Sequence, residues 1–415
     1  MRVPCQDTHT CLRSPYLMNF GGFCWVFAHE ILCFSVYLHN ILCVKMNLTT
    51  KHFTLNKQAS TSKFLRALAI AVLGFYGSGL PAVAQVVTPT WSAPVSTMVV
   101  SEEREFQNGD VYLCGTLYLP SSSKPLPAVI ALHSASSATQ DLPLYRHLKD
   151  LLPALGYAVF IYDRRGSGKS TGKRTGIDFN TLADDGLAAL RMLAADKRID
   201  ARKIGFWGLS QGGWLSVLAA SRSRQVAFAI SISAPLTTPD VQMNFAVGNI
   251  LRVKGFSDED IKAAIRTRTF VDDFMRGRVD RQTVEQMLAD AVNKPWFRYS
   301  FISPTLDDPA HSQWAKEIAL DPITTLNGVR CPILILFGAT DPWVPVKISA
   351  ELLSKMASKK ANLSYAVIAR ANHEMATTVA PEKELDPHNA TAFAPDAPSY
   401  FGILARWLSQ PLKIH

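Results

Sequence analysis

The chain has 415 residues, of which 48% are hydrophobic, 19% charged and 10% aromatic. That length allows one large α/β domain with insertions or two to three smaller domains. The apolar content excludes a disordered chain, and 23 Gly and 24 Pro without a period exclude a collagen-like or low-complexity one. The net charge of +9 taken alone would suit an acidic partner. Seven basic residues against two acidic ones lie in residues 1–84, however, so residues 85–415 carry only +4. Arg276, Arg278 and Arg281 lie among acidic residues and read as a solvated helix face, so nucleic acid is not implied.

In chain order, the first legible element is a leader. Lys63 and Arg66 precede an apolar run through Leu80, and Ala82-Val83-Ala84 closes it. A charged start, a short apolar core and small residues at the cleavage positions are what a secretory signal peptide requires. The alternative, a membrane anchor, is disfavoured because the run is short and carries Gly77, Gly79 and Pro81, so no stable membrane span is expected in the mature chain. Cleavage after Ala84 leaves 331 residues, with Met46 the better start for residues 46–84 and a secreted or periplasmic location expected. Residues 1–45 hold five of the seven cysteines and read as a doubtful upstream extension, with an unusual membrane-associated segment as the alternative. Cys114 and Cys331 remain; two thiols without CxxC spacing make neither a disulfide framework nor a metal site, and a single bridge between them is left open by the sequence.

Residues 85–97, with Pro89 and Pro94, form a linker. Strand-like segments follow at Met98–Phe106, Val111–Leu119, Ala128–His133, Tyr157–Tyr162, Lys203–Trp207, Ala227–Ser233, Pro332–Phe337 and Leu363–Ile368. Amphipathic stretches such as Leu182–Ala195 lie between most of them. Short apolar strands with helical crossovers predict a mostly parallel eight-stranded sheet covered by helices on both faces. The core is thus expected in two parts, residues 98–235 and 329–415. Residues 236–328 show helix signals alone: Ser257 caps a helix through Ile261, and Val284, Met287, Leu288 and Ala291 recur at helical spacing. This reads as a helical cap inserted over the ligand-binding end of the sheet.

Gly208-Leu209-Ser210-Gln211-Gly212 stands between a strand and a helix. There the turn forces the central serine into a strained conformation, and its neighbours must lack side chains for the two elements to meet. A serine hydroxyl needs a base, and the base needs an orienting carboxylate, from loops after later strands in the order Ser, acid, His. Asp341 and His373 stand in those places; His388, with Asp386 beside it, is the rival base. Oxyanion donors are expected from the N–H groups of Gln211 and Ala135, with Ser134 a close second, because His133-Ser134-Ala135 replaces the more usual His-Gly. Asp163 to Ser170 ends like a P-loop, but Asp163 stands where Gly is required and Gly172 and Gly176 prevent the following helix, which disfavours nucleotide binding. The same residues suit a tight loop in which the Asp163 carboxylate accepts backbone N–H or Arg hydrogen bonds. Trp296, Phe297, Tyr299, Phe301 and Trp314 are candidates for an apolar acyl pocket, with plain core packing as the alternative.

Over residues 98–415 these features resemble the α/β-hydrolase superfamily. The resemblance rests on His133-Ser134-Ala135 as oxyanion loop, Asp163-Arg164-Arg165-Gly166-Ser167-Gly168-Lys169-Ser170 as the D-x-R-G-x-G-x-S loop, Gly208 to Gly212 as nucleophile elbow, and Asp341 with His373. The Ser210-to-Trp214 run and the insertion are most similar to the branch of dienelactone-hydrolase-like, acyl-thioesterase-like and serine-peptidase-like members. The resemblance implies a serine hydrolase without cofactor or metal, acting on a small-molecule acyl substrate: an ester, a thioester or a short peptide. Carboxylic ester cleavage is the leading expectation. The alternatives are a peptidase with an acidic or aromatic anchor in the cap and a non-catalytic binding protein on the same scaffold.

Overall fold

The computed structural model describes residues 97–410 except 378, 387–388 and 390–391. The leader, the upstream extension, nearly all of the linker and His388 lie outside the described residues. The described chain contains β1 (Val99–Asn108), β2 (Val111–Pro120), β3 (Leu126–Leu132), α1 (Arg146–Ala154), β4 (Ala158–Tyr162), α2 (Phe179–Ala194), β5 (Ile199–Leu209), α3 (Gln211–Arg222) and β6 (Ala229–Ile232). Five helices follow without a strand: α4 (Pro239–Val253), α5 (Asp258–Met275), α6 (Arg281–Ala291), α7 (Gln313–Glu317) and α8 (Pro322–Gly328). Then come β7 (Ile333–Gly338), α9 (Val346–Ala357), β8 (Leu363–Ile368), α10 (Pro381–Glu384) and α11 (Pro398–Leu408).

The strands form one sheet in the order β1-β2-β4-β3-β5-β6-β7-β8. β2 runs antiparallel to β1 and β4, and every pairing from β4 to β8 is parallel. This is the α/β-hydrolase fold. The alternation of side chains along each strand sorts the core. Ala128, Ile130 and Leu132 of β3 and Ile333, Ile335 and Phe337 of β7 pack on one face with α2 and α3. Val129, Ala131, Leu334 and Leu336 pack on the other with α1 and α11. Both faces are apolar because both are covered, which is why the strands read as nearly continuous hydrophobic runs.

The helices between β6 and β7 have a hydrophobic cluster of their own, which includes Val247, Leu251, Val271, Phe274, Val284 and Leu288. Ser257 begins α5 as its spacing predicts, its Oγ accepting the Asp260 N–H at 3.1 Å. Trp296 and Phe297 are buried in this cluster and Tyr299, partly buried, packs against it, which supports the plain core reading for these rings. Phe301 is exposed. Among the described residues, no helix is long and apolar enough to cross a membrane, and Cys114 and Cys331 are free thiols.

Candidate active site

The site is built where β5 turns into α3. Gly208 and Leu209, expected just beyond the strand, are its last two residues, because they pair with Ser231 and Ile232 of β6. Ser210 follows at φ 56°, ψ −122° and Gln211 opens the helix. A non-glycine residue there costs about 1–3 kcal/mol, and the surrounding structure must impose it. Here the Ser210 N–H donates to the Ile232 carbonyl at 2.7 Å, while the Ser210 carbonyl accepts from Gly213 and Trp214. The two glycines are steric necessities. A Cβ at Gly208 would lie 2.0 Å from the Gly212 oxygen, and one at Gly212 would lie 2.2 Å from the Leu132 oxygen. The second contact also shows how tightly the start of α3 abuts the end of β3, with the His133 oxygen 2.9 Å from the same Cβ.

Asp341 and His373 leave β7 and β8 on adjacent loops, which the Thr340 N–H ties together by donating to the Ala371 carbonyl at 3.0 Å. Asp341 Oδ2 lies 2.7 Å from His373 Nδ1, and both side chains are buried. Asp341 Oδ1 accepts the Trp343 and Val344 N–H groups at 2.8 and 3.1 Å, so both carboxylate oxygens are held. The Ser233 hydroxyl donates to the His373 carbonyl at 2.8 Å. Because Ser210 is bonded to Ile232 and His373 to Ser233, the elbow and the histidine loop are both anchored on the end of β6.

Two carboxyls that the sequence reading missed lie around this histidine. The His373 N–H donates to Glu384 Oε1 at 3.0 Å, and Glu374 is buried beside it. Burial, aided by the charge of Glu374, pushes Glu384 up to about 8. Burial pushes Glu374 up as well. His373 itself moves the other way from a typical buried imidazole. Burial disfavours its charged form, but the charge and hydrogen bond of Asp341, with Glu374 and Glu384 adding, push it up to about 9. Glu374 was legible as the neighbour of His373; Glu384, eleven residues on, carried no signal.

The Asp163 loop is the tight turn expected of it. Its carboxylate accepts backbone N–H groups from Gln140 at 3.0 Å and Lys169 at 2.9 Å rather than Arg side chains. Arg165 instead makes a bidentate pair with Asp185 of α2 at 2.7 and 2.5 Å, which fixes the loop to the helix. No helix begins until Phe179, as Gly172 and Gly176 predict. His133 is buried between the Tyr145 hydroxyl and the Tyr162 carbonyl. Of the remaining described histidines, His147 bonds the Leu144 carbonyl and the Tyr400 hydroxyl, and His311 is on the surface facing Asp308. Among the described residues, no group of three or more His, Cys, Asp or Glu is arranged to hold a metal ion.

Comparison with known proteins gives a match to the family model described as X-Pro dipeptidyl-peptidase (S15 family) over residues 109–375. An uncharacterized 31.7 kDa protein in the traX-finO intergenic region of Escherichia coli is 24% identical over 207 residues, 49% of this chain and 69% of that protein. The AB hydrolase superfamily protein YisY of Bacillus subtilis is 25% identical over 215 residues, 50% of this chain and 73% of its own length. Among solved structures, an esterase of Pyrococcus furiosus is similar at a TM-score of 0.47 and 18% identity, covering 71% of this chain and 90% of the esterase.

Proposed function

Since the chain belongs to the X-Pro dipeptidyl-peptidase (S15) family and is an α/β-hydrolase-fold hydrolase, we propose that it cleaves carboxylic esters or thioesters through an acyl-enzyme on Ser210. The observation that carries this reading is the Asp341–His373 pair, anchored on the same end of β6 as the strained serine. Asp341 holds the proton on Nδ1 of the neutral imidazole, which leaves Nε2 as the base. In the proposed cycle Nε2 takes the Ser210 proton as Oγ attacks the acyl carbonyl. The Gln211 and Ala135 N–H groups hold the oxyanion, the alcohol or thiol leaves with the proton, and water repeats the steps to release the acid.

A second reading, hydrolysis of short peptides, is favoured by the family description and by Asp272 in the helical insertion. Asp272 is buried; its Oδ1 accepts the Trp314 indole N–H at 2.7 Å, while Oδ2 has no hydrogen-bond partner among the described residues, though the Arg268 and Arg276 charges act on the carboxyl. Both residues line a cavity of about 220 Å³. This is the acidic and aromatic furniture that a peptide terminus would need. A fluorophosphonate probe should label Ser210, and p-nitrophenyl esters should turn over faster than aminoacyl-anilides. The opposite ratio would move the assignment to peptides, and an unlabelled Ser210 would overturn acyl transfer altogether.

The base must be neutral to accept a proton. Labelling and ester turnover should therefore rise with pH, with a midpoint above the ordinary imidazole value of 6.5, toward the value near 9 to which Asp341 raises His373. A pH–rate profile measured between pH 5 and 10, flat above about 6.5, would contradict this.

We propose that residues 46–84 direct the protein to a secreted or periplasmic location and are removed after Ala84. Sequencing the N-terminus of the exported protein tests this.

A further inference from the structure

The loop that carries the second oxyanion donor is held by a chain of hydrogen bonds whose direction can be worked out from its far end. The Tyr162 carbonyl can only accept, so His133 Nε2 carries the proton. Burial pulls the His133 pKa down to about 4, so the ring is neutral and has no second proton. Nδ1 must therefore accept from the Tyr145 hydroxyl, 2.6 Å away. With its proton committed, the Tyr145 oxygen accepts the Ser137 hydroxyl at 3.0 Å. The Ser137 oxygen in turn accepts the Ser134 backbone N–H at 2.9 Å and the Ser134 hydroxyl at 2.7 Å. The Ser134 oxygen closes the loop by accepting the Ser137 N–H at 3.2 Å. The Ser134 hydroxyl also lies 3.4 Å from Ser136 Oγ, but its contact with Ser137 at 2.7 Å is much the shorter, and with the Ser137 proton given to Tyr145 the shorter contact runs from Ser134 to Ser137.

The two candidates left open by the sequence for the second donor are thereby separated. The Ser134 N–H is turned back into its own loop, where Ser137 Oγ accepts it, and of the two candidates that leaves the Ala135 N–H. We propose that Ser137 and Tyr145 are positioning residues for the oxyanion hole, setting through this chain that Ala135, and not Ser134, donates to the developing charge. The inference rests on the acyl-transfer reading given above. None of the chain's side chains needs to touch substrate: Ser137, Tyr145 and His133 are all buried. They act by fixing a peptide plane, which is what a preorganised donor requires, since a donor that must reorient during reaction loses most of its effect.

Steady-state kinetics of Ser137→Ala, Ser137→Thr and Tyr145→Phe test it, with the rate of Ser210 labelling by a fluorophosphonate and the affinity of an alkyl boronic acid measured alongside. Losing an oxyanion donor outright costs about 10² to 10³ in kcat. Misplacing one through Ser137→Ala or Tyr145→Phe should cost roughly 10- to 100-fold in kcat, labelling rate and boronate affinity, with KM within about twofold. Ser137→Thr, which keeps the hydroxyl, should recover most of the loss. A purely structural role would lower the melting temperature and leave kcat and boronate affinity in the folded fraction unchanged, and that result would overturn the proposal. Should Ser137→Ala fail to fold, Tyr145→Phe, which deletes one hydroxyl and leaves the ring packed, decides alone. Wild-type protein whose Ser210 is not labelled would overturn the acyl-transfer reading and this inference together. Labelled wild type with unaffected variants would overturn only this one.

Discussion

Replacing Ser210 by alanine should lower ester turnover by a factor of about 10⁴ or more, with the circular dichroism spectrum and unfolding midpoint at or above those of the wild type. The size follows from the way a nucleophile, its base and the orienting acid act as one unit: removing the attacking oxygen leaves only binding and oxyanion stabilisation. The lack of structural damage follows from the geometry. The bonds that hold the elbow come from the Ser210 backbone N–H and carbonyl, to Ile232, Gly213 and Trp214, and alanine keeps both groups. Turnover of the purified variant within tenfold of wild type would remove Ser210 from the mechanism and with it the proposed function.

Asp341→Asn should be nearly as damaging, about 10⁴ in kcat, although it changes no volume. The carboxylate has two committed sides. Oδ1 accepts two backbone N–H groups, from Trp343 and Val344, and Oδ2 faces His373 Nδ1. An amide placed here must keep its oxygen on the side of the two donors, which puts its NH₂ against Nδ1. Nδ1 then has to accept, the imidazole proton moves to Nε2, and the atom that should take the serine proton already carries one. The variant should therefore label slowly with a fluorophosphonate while binding a substrate analogue normally. Equal labelling rates for variant and wild type would mean that Asp341 does not select the tautomer.

The fold was legible because its signals are local and repeated. Each of the eight apolar segments became a strand, and Leu363–Ile368 agrees to the residue. The departures lie at ends where pairing, not composition, decides. β5 starts at Ile199, earlier than the apolar run, because Leu126 of β3 pairs with it across polar residues. The elbow announced itself through glycines that a short-range steric rule demands. What was hidden is long-range. Nothing in the spacing of Ser137, Tyr145 and Tyr162 shows that one imidazole joins Tyr145 to Tyr162 or that Ser137 bonds Tyr145, and Glu384 reaches His373 only because a short helix returns the chain. The aromatic run from Trp296 illustrates the converse. Composition cannot tell a ring that lines a cavity from one that closes a core, since both need the same apolar area.

The backbone angles of Ser210 also bear on what selection has favoured in this chain. A sequence chosen for heat resistance alone would place glycine there, relieving the left-handed geometry and keeping the backbone hydrogen bonds to Ile232, Gly213 and Trp214. Serine gives up that gain. The elbow is thus a point where durability and reactivity pull in opposite directions, and directed evolution toward higher melting temperature, run without an activity screen, would be expected to erode this residue.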